Sequence, residues 1–438
     1  METTVRMHTE RCLAAIAAPD GEGRLTFTQV YSISALQEAA AADERRRRGA
    51  MLSPLDGCVV AVKDMFDVAG RTTWAGSVAL RNAPAAAADA VAVANLRRAG
   101  CVIIGKTNMT EFAYSGVGLN PHFGTPANPF ERKSQRRIPG GSSSGAAIAV
   151  TDGMADVGLG TDTGGSVRIP AALCGLAGWK PTARRISLAG VWPLAPNFDS
   201  IGVMARRLDT CIDADAVLTG TVGPTGSPPL KSLRLARLRA YIESGLDAEV
   251  EQAYEAALKR LIAAGVQIVD VSIPELERIP REQAGITMPT YEAFHVHEKM
   301  LEPLGALYDP RIRHRLEQGR DISAERYAAA AQVRREVQQV ATLTLSAYDA
   351  FLLPTVAVVA PPFEAFDTDE HYLAINRKVL RNTSLLNFLD GCAVTLPCQD
   401  TGAAPIGLSV AGTGMRDTHV LAVARALEPV VLLSRRID

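Results

Sequence analysis

The chain has 438 residues, 47% of them hydrophobic, and 46 Lys+Arg against 47 Asp+Glu leave a formal net charge of −1. That composition supports a large buried core and argues against disorder. The balanced charge, with no long run of either sign, leaves no electrostatic footprint for nucleic acid or an anionic membrane, so small uncharged or mildly polar partners fit better.

In chain order, the N-terminal "METTVRMHTERC" carries charge where a signal peptide needs an apolar core. No uninterrupted apolar run reaches membrane-spanning length, so the expected location is the cytoplasm. Helices are expected over 33–48, 88–99 and 144–152, alternating with the strands "CVVAVKD" (58–64), "CVIIG" (101–105) and "ADVGLG" (155–160). A Gly/Pro/Ser-rich connection follows at Thr219–Ser232. Beyond it come helices over 247–264, 323–345 and 417–428, with strands "VQIVDVSI" (266–273), "AFLLPTVAVV" (350–359) and "IGLSVAG" (406–412). Short Val/Ile runs between alanine-rich amphipathic stretches predict an α/β fold, a large twisted mixed sheet, mostly parallel, with helices on both faces.

Seven singly spread cysteines without a CxxC pair suit buried thiols rather than disulfides or zinc. The pair His295 and His297 has no metal-site context, and no metal or organic cofactor is expected.

Three motif readings compete. "GCVIIGKT" (Gly100–Thr107) matches GxxxxGK[ST] letter for letter. A phosphate loop, however, needs a strand before its first glycine and a loop after it. Here a helix precedes Gly100 and the variable residues themselves form a strand. "GSSSG" (Gly141–Gly145) satisfies GxSxG with Ser143 central, and His419 could complete a triad. That elbow requires an apolar strand upstream, whereas "PFERKSQRRIPG" is charged. The third reading joins two glycine-serine loops, "PGGSSSG" (139–145) and "GTDTGGSVRIPAALCG" (160–175). Glycines permit tight turns and unobstructed ligand access, and consecutive amides form an anion nest suited to an oxyanion. A serine nucleophile needs a base, and Lys63 ends the most apolar strand. Burial would bring its pKa from the usual ~10.4 toward the working range. By position alone, a strand-end lysine paired with Asp64 or Asp67 is the commoner arrangement.

Together "VAVKD" around Lys63, "PGGSSSG" and "GTDTGGSVRIPAALCG" resemble the amidase signature family of serine hydrolases. "GKTNMTEFAYSG" (105–116), "GLAGWKPT" (175–182), "NFDSIGVMAR" (197–206) and the stretch 406–428 extend the likeness. The resemblance implies one amidase signature domain over 1–438, with its core at about 55–205 and a C-terminal return over 346–430. It leaves 225–345 as a peripheral, mostly helical layer.

Carried over by residue, the resemblance implies Ser166 as nucleophile, Ser142 as bridging serine after a cis peptide, and Lys63 as base. It also implies an oxyanion hole from the amides of Thr163, Gly164, Gly165 and Ser166. Ser143 and Ser144 are then expected to hydrogen-bond the loop and cap the following helix. Arg168 is expected to brace the loop through Asp162, and Lys106 to be structural. Tyr114 and Trp192 are candidate pocket walls, with Trp74 and Trp179 behind them.

The activity implied is hydrolysis of a small carboxamide, with anilide, carbamate or ester substrates open to the same machinery. The catalytic component of a tRNA-dependent amidotransferase shares these motifs, and a non-catalytic binder is the remaining alternative. A homodimer would be compatible with the sequence.

Overall fold

Runs of small and branched apolar residues that alternate too little to face water on one side must be buried on both, and such runs form the centre of this sheet. The computed structural model describes residues 4–432. In it the strands are β1 (Phe27–Val30), β2 (Val59–Lys63), β3 (Val102–Thr107), β4 (Val157–Thr161), β5 (Ala177–Lys180) and β6 (Ile201–Ala205). They continue with β7 (Arg234–Arg239), β8 (Gln267–Ser272), β9 (Ala350–Pro354), β10 (Cys392–Pro397) and β11 (Gly407–Gly412). All eleven belong to one sheet in the order β1-β3-β2-β4-β6-β5-β10-β11-β9-β7-β8.

The large mixed sheet agrees with expectation, but parallel pairing does not dominate it. Parallel neighbours form two blocks, β3-β2-β4 and β9-β7-β8. The other pairings, from β4 through β6, β5, β10 and β11 to β9 and at β1-β3, are antiparallel. The reason lies in short connections: β5 and β6, and β10 and β11, are neighbours in chain and in sheet, which requires no parallel crossover.

Alternation along β2 and β3 splits their side chains between two layers. Val59, Ala61, Val102 and Ile104 pack with Val5, Ala35, Ala39 and Ala149, from the helices Val5–Ala17, Ser32–Arg47 and Ser144–Thr151. Val60, Val62 and Ile103 face the other way, toward Ala92, Val93 and Leu96 of the helix Val91–Arg98. Gly158 in β4 lets the helix Ser144–Thr151 lie close, because a Cβ there would stand 2.7 Å from the Ala146 carbonyl oxygen.

This arrangement disposes of the phosphate-loop reading. Gly100, at φ +88°, follows the helix Val91–Arg98, and residues 102–107 are the buried strand β3. The expected strand 350–359 ends at Pro354, where proline lacks an amide hydrogen for the ladder. Residues 225–345 contribute the outer strands β7 and β8 together with long helices, among them Ala284–Leu304 and Ala324–Leu345.

Candidate active site

β2 and β4 are adjacent and parallel, with Val60 opposite Val157 and Val62 opposite Leu159, so their carboxyl ends emerge side by side. Ligands of open α/β sheets commonly bind at that edge. Lys63 is the last residue of β2 and Thr161 the last of β4. Lys63 Nζ donates to Ser142 Oγ at 2.7 Å and to Thr161 Oγ1 at 2.8 Å. Its side chain is wholly buried. Burial pushes the ammonium pKa down to about 7, against the opposing charges of Asp162 and Asp199.

Among the described residues, Lys63 has no carboxylate in hydrogen-bonding contact; the pairing with Asp64 belongs to Lys106, at 3.2 Å. Lys106 Nζ also donates to Thr73 Oγ1 at 2.7 Å, so its role is structural, as expected.

Ser142 follows a cis Gly141–Ser142 peptide. The next amide, Ser143 N–H, donates to the Ser166 carbonyl at 3.2 Å and ties the two serine loops together. Ser143 and Ser144 depart from the expected capping role. Ser143 stands at the N-cap of the helix Ser144–Thr151 without a side-chain capping bond, its Oγ reaching the Thr161 carbonyl at 3.4 Å. Ser144 Oγ is buried with no partner among the described residues. Both hydroxyls are drawn into the packed interior under the loop, away from the helix's free amides. The elbow reading fails with them, since His419 lies on the helix Asp417–Val431 beside Asp349, at 3.5 Å.

The loop from Asp162 to Ser166 is held from beneath by one carboxylate. Asp162 Oδ1 accepts from Gly165 N–H at 2.9 Å and Oδ2 from Val167 N–H at 3.2 Å. Arg168 closes on the same carboxylate with Nε at 3.0 Å and Nη2 at 2.8 Å, both side chains fully buried. Asn387 Nδ2 adds a further donor at 2.9 Å. Although burial alone would raise it, Arg168 and its companions hold the Asp162 carboxyl well below the ordinary range.

The expected brace between Arg168 and Asp162 is therefore present, and it alters the oxyanion reading. Gly165 N–H is committed to Asp162, while the amides of Thr163, Gly164 and Ser166 have no acceptor among the described residues. Gly165 serves the loop by its shape instead. At φ +129° it occupies backbone space closed to other residues, and a Cβ would lie 2.1 Å from Thr383 Oγ1.

Ser166 and the free-amide residues Thr163 and Gly164 line a cavity of about 690 Å³. Of the two candidate aromatic walls, Tyr114 lines it, with its OH donating to Thr290 Oγ1 at 3.1 Å. Trp192 does not. It packs in a ring cluster with Phe112 at 6.1 Å and His297 at 6.4 Å, an apolar setting that takes up its indole. Trp74 stacks on Phe123, and Trp179 is fully buried with Nε1 donating to Asp215 at 2.9 Å.

Three contributors escaped sequence reasoning: Thr161, Asp199 and Asn387. Asp199 accepts from Thr163 Oγ1 at 2.5 Å and from Leu194 N–H at 2.9 Å, steadying the start of the loop. Thr161 lies within a quoted motif and Asp199 within "NFDS", so their identities are legible but not their contacts. Asn387 carries no signal, since it reaches the loop from more than 200 residues away.

A buried lysine at the end of one strand, two serine loops joined by a backbone hydrogen bond, and a cavity floored by unpaired amides define an enzyme site suited to acyl chemistry. The Amidase family profile matches residues 9–421, and the chain belongs to that family of amidase signature enzymes. It is 34% identical to the 2-amino-5-chloromuconic acid deaminase of Comamonas testosteroni, over 94% of this chain and 89% of that protein. It is 32% identical to the GatA-type component of the glutamyl-tRNA(Gln) amidotransferase of Chloroflexus aggregans, over 98% and 93%. A crystal structure of an amidase superposes with a TM-score of 0.88 at 31% identity, covering 98% of this chain and 96% of that one.

Replacing Asp162 by Asn would leave Arg168 charged and buried without its carboxylate. Removing one partner of such a pair costs about 3–5 kcal/mol. A clear drop in the urea midpoint is expected for Asp162→Asn, and an unchanged midpoint would dismiss the brace.

Proposed function

We propose that this protein is an amidase that cleaves the C–N bond of a small carboxamide through an acyl-enzyme on Ser166. The observation that carries the reading is Lys63, a buried amine held only by hydroxyls and poised to be neutral near pH 7. A carboxylate partner would keep it charged; hydroxyls can accept from an ammonium or donate to an amine.

In this reading neutral Lys63 takes the proton of Ser142, Ser142 takes that of Ser166, and Ser166 Oγ forms a bond to the substrate carbonyl carbon. The carbonyl oxygen becomes an oxyanion, stabilised by the unpaired amides of the Thr163–Ser166 loop. As the tetrahedral intermediate collapses, the C–N bond breaks and the proton returns through Ser142 to the leaving nitrogen. Protonation matters because an amide anion is a very poor leaving group. Water then adds to the acyl carbon, loses its proton along the same relay, and releases the carboxylic acid and free Ser166. Anilides, carbamates and esters present the same carbonyl geometry to these groups.

The relatives that belong to glutamyl-tRNA(Gln) amidotransferases support a second reading, a component that passes ammonia onward. Purified alone, an amidase turns over simple amides repeatedly, whereas such a component would depend on partners and favour glutamine or asparagine.

Ser166→Ala should lower kcat by at least roughly 10³-fold. It should also remove fluorophosphonate labelling from the peptide containing residue 166. Wild-type rates in that variant would refute the nucleophile. The pH profile gives a separate check, because a base works only when deprotonated. With Lys63 titrating at about 7, kcat/KM should fall about tenfold per unit as pH drops below that value and level off above it. A flat profile from pH 5 to 8 would exclude Lys63 as the base.

A further inference from the structure

The cavity above Ser166 has an uneven electrostatic wall. One side is the helix Asp369–Phe388, which presents Arg377, Arg381 and Ser384 to it at i, i+4 and i+7. The same helix is fastened to the Ser166 loop: Thr383 Oγ1 and Ser384 Oγ donate to the Gly164 carbonyl at 2.6 and 3.2 Å. At 1.5 Å rise per residue, Arg381 lies about 5 Å and Arg377 about 10 Å along the axis from Ser384. A third guanidinium, Arg315 of the helix Pro310–Glu317, also lines the cavity.

Among the described residues no Asp or Glu lines it, while four cations do. Lys378 is answered by Asp247 at 2.8 Å. The three arginines have no carboxylate partner among the described residues. Arg381 donates to uncharged acceptors only, the Ile242 carbonyl at 2.9 Å, the Ser244 carbonyl and Asn382 Oδ1 at 3.0 Å. Arg315 donates to the Tyr114 carbonyl and rests its guanidinium 4.3 Å from the Tyr114 ring centroid. Arg377 is exposed and makes no hydrogen bond or ion pair among the described residues. Elsewhere partly buried arginines of this chain do find acids, as Arg45 does with Asp56 and Arg132 with Asp152. Uncompensated guanidinium groups converging on one low-dielectric cleft concentrate positive potential there, and their planar forks match a carboxylate.

We propose that this wall selects acyl groups ending in a carboxylate, so that the substrate is a monoamide of a short dicarboxylic acid. Its free carboxylate sits among Arg315, Arg377 and Arg381 while its amide carbonyl lies at Ser166. The proposal rests on the Ser166 reading for the position of the carbonyl, but the anion site itself requires no turnover.

The test is calorimetric titration of the Ser166→Ala protein with glutaric monoamide and with glutaric diamide, which differ by one charge. The monoamide should bind at least tenfold more tightly, with an advantage that shrinks as NaCl is added. Arg377→Gln, which removes no contact within the fold, should reduce that preference several-fold, and Arg377→Gln with Arg381→Gln should erase it. Equal affinities, no measurable binding of the monoamide, or a preference that survives the double variant would overturn the proposal. Ammonia release from the diamide distinguishes the two readings. If it is lost in Ser166→Ala while titration finds no preference for charge, the acyl-enzyme stands and the anion site falls.

Discussion

Everything in this site depends on how one buried ammonium is solvated. The chain buries Lys63, Lys106 and Lys180 completely and gives each a different set of acceptors. Lys106 meets the Asp64 carboxylate, and Lys180 meets two backbone carbonyls, of Pro181 at 2.7 Å and Gly391 at 2.8 Å. Burial lowers the pKa of all three, that of Lys180 to about 8 and that of Lys63 to about 7. The acceptors separate them further. Carbonyls and carboxylates can only accept, so a neutral amine beside them loses hydrogen bonds. Hydroxyls reverse direction, and of these three only Lys63 can therefore change charge without orphaning a neighbour.

The charges around Lys63 are arranged to leave that balance undisturbed. Asp162 and Asp199 both favour the ammonium, and either one in contact would fix it. Asp162 is instead occupied by Arg168, Asn387 and two loop amides, and Asp199 by Thr163 and the Leu194–Ala195 amides. The carboxylates that shape the loop are thus kept from the base by their own partners. Bracing and basicity are coupled, because loosening Asp162 would both free the loop and expose Lys63 to a competing negative charge.

Much of this is readable in the chain, and the limits have physical causes. Strands buried on both faces, such as "CVVAVKD" and "IGLSVAG", announce themselves by unbroken apolar runs, and the helices over 247–264 and 323–345 by their period. β5 and β6 do not, being four or five residues long and containing glycine. β7, "RLARLR", hides its strand character behind arginines because it lies toward the outer side of the sheet, between β9 and β8. At the site, Lys63, Ser142 and Ser166 are legible because their motifs are local. Lys63 and Lys106 look alike in sequence, both ending apolar strands beside acids, and only the fold decides which one meets Asp64. The commitment of the Gly165 amide is invisible for the same reason, since it depends on where Asp162 points.

The cavity wall lies furthest from view, and its construction explains why. Chemistry is carried by loops at strand ends between residues 63 and 166, whereas the wall comes from helices such as Ala284–Leu304 and Asp369–Phe388 that contain no motif. The latter helix carries two adjacent stripes. Asn376, Thr383 and Asn387 bond the Gly116 amide, the Gly164 carbonyl and Asp162, and so hold the two loops in place. Arg377 and Arg381 lie on the neighbouring stripe and face the cavity. A helix turns 100° per residue, so side chains on the second stripe can change while those on the first keep the loops fixed. Such a division lets one catalytic frame be matched to different acyl groups, and it leaves the choice of substrate to residues whose type follows no local pattern.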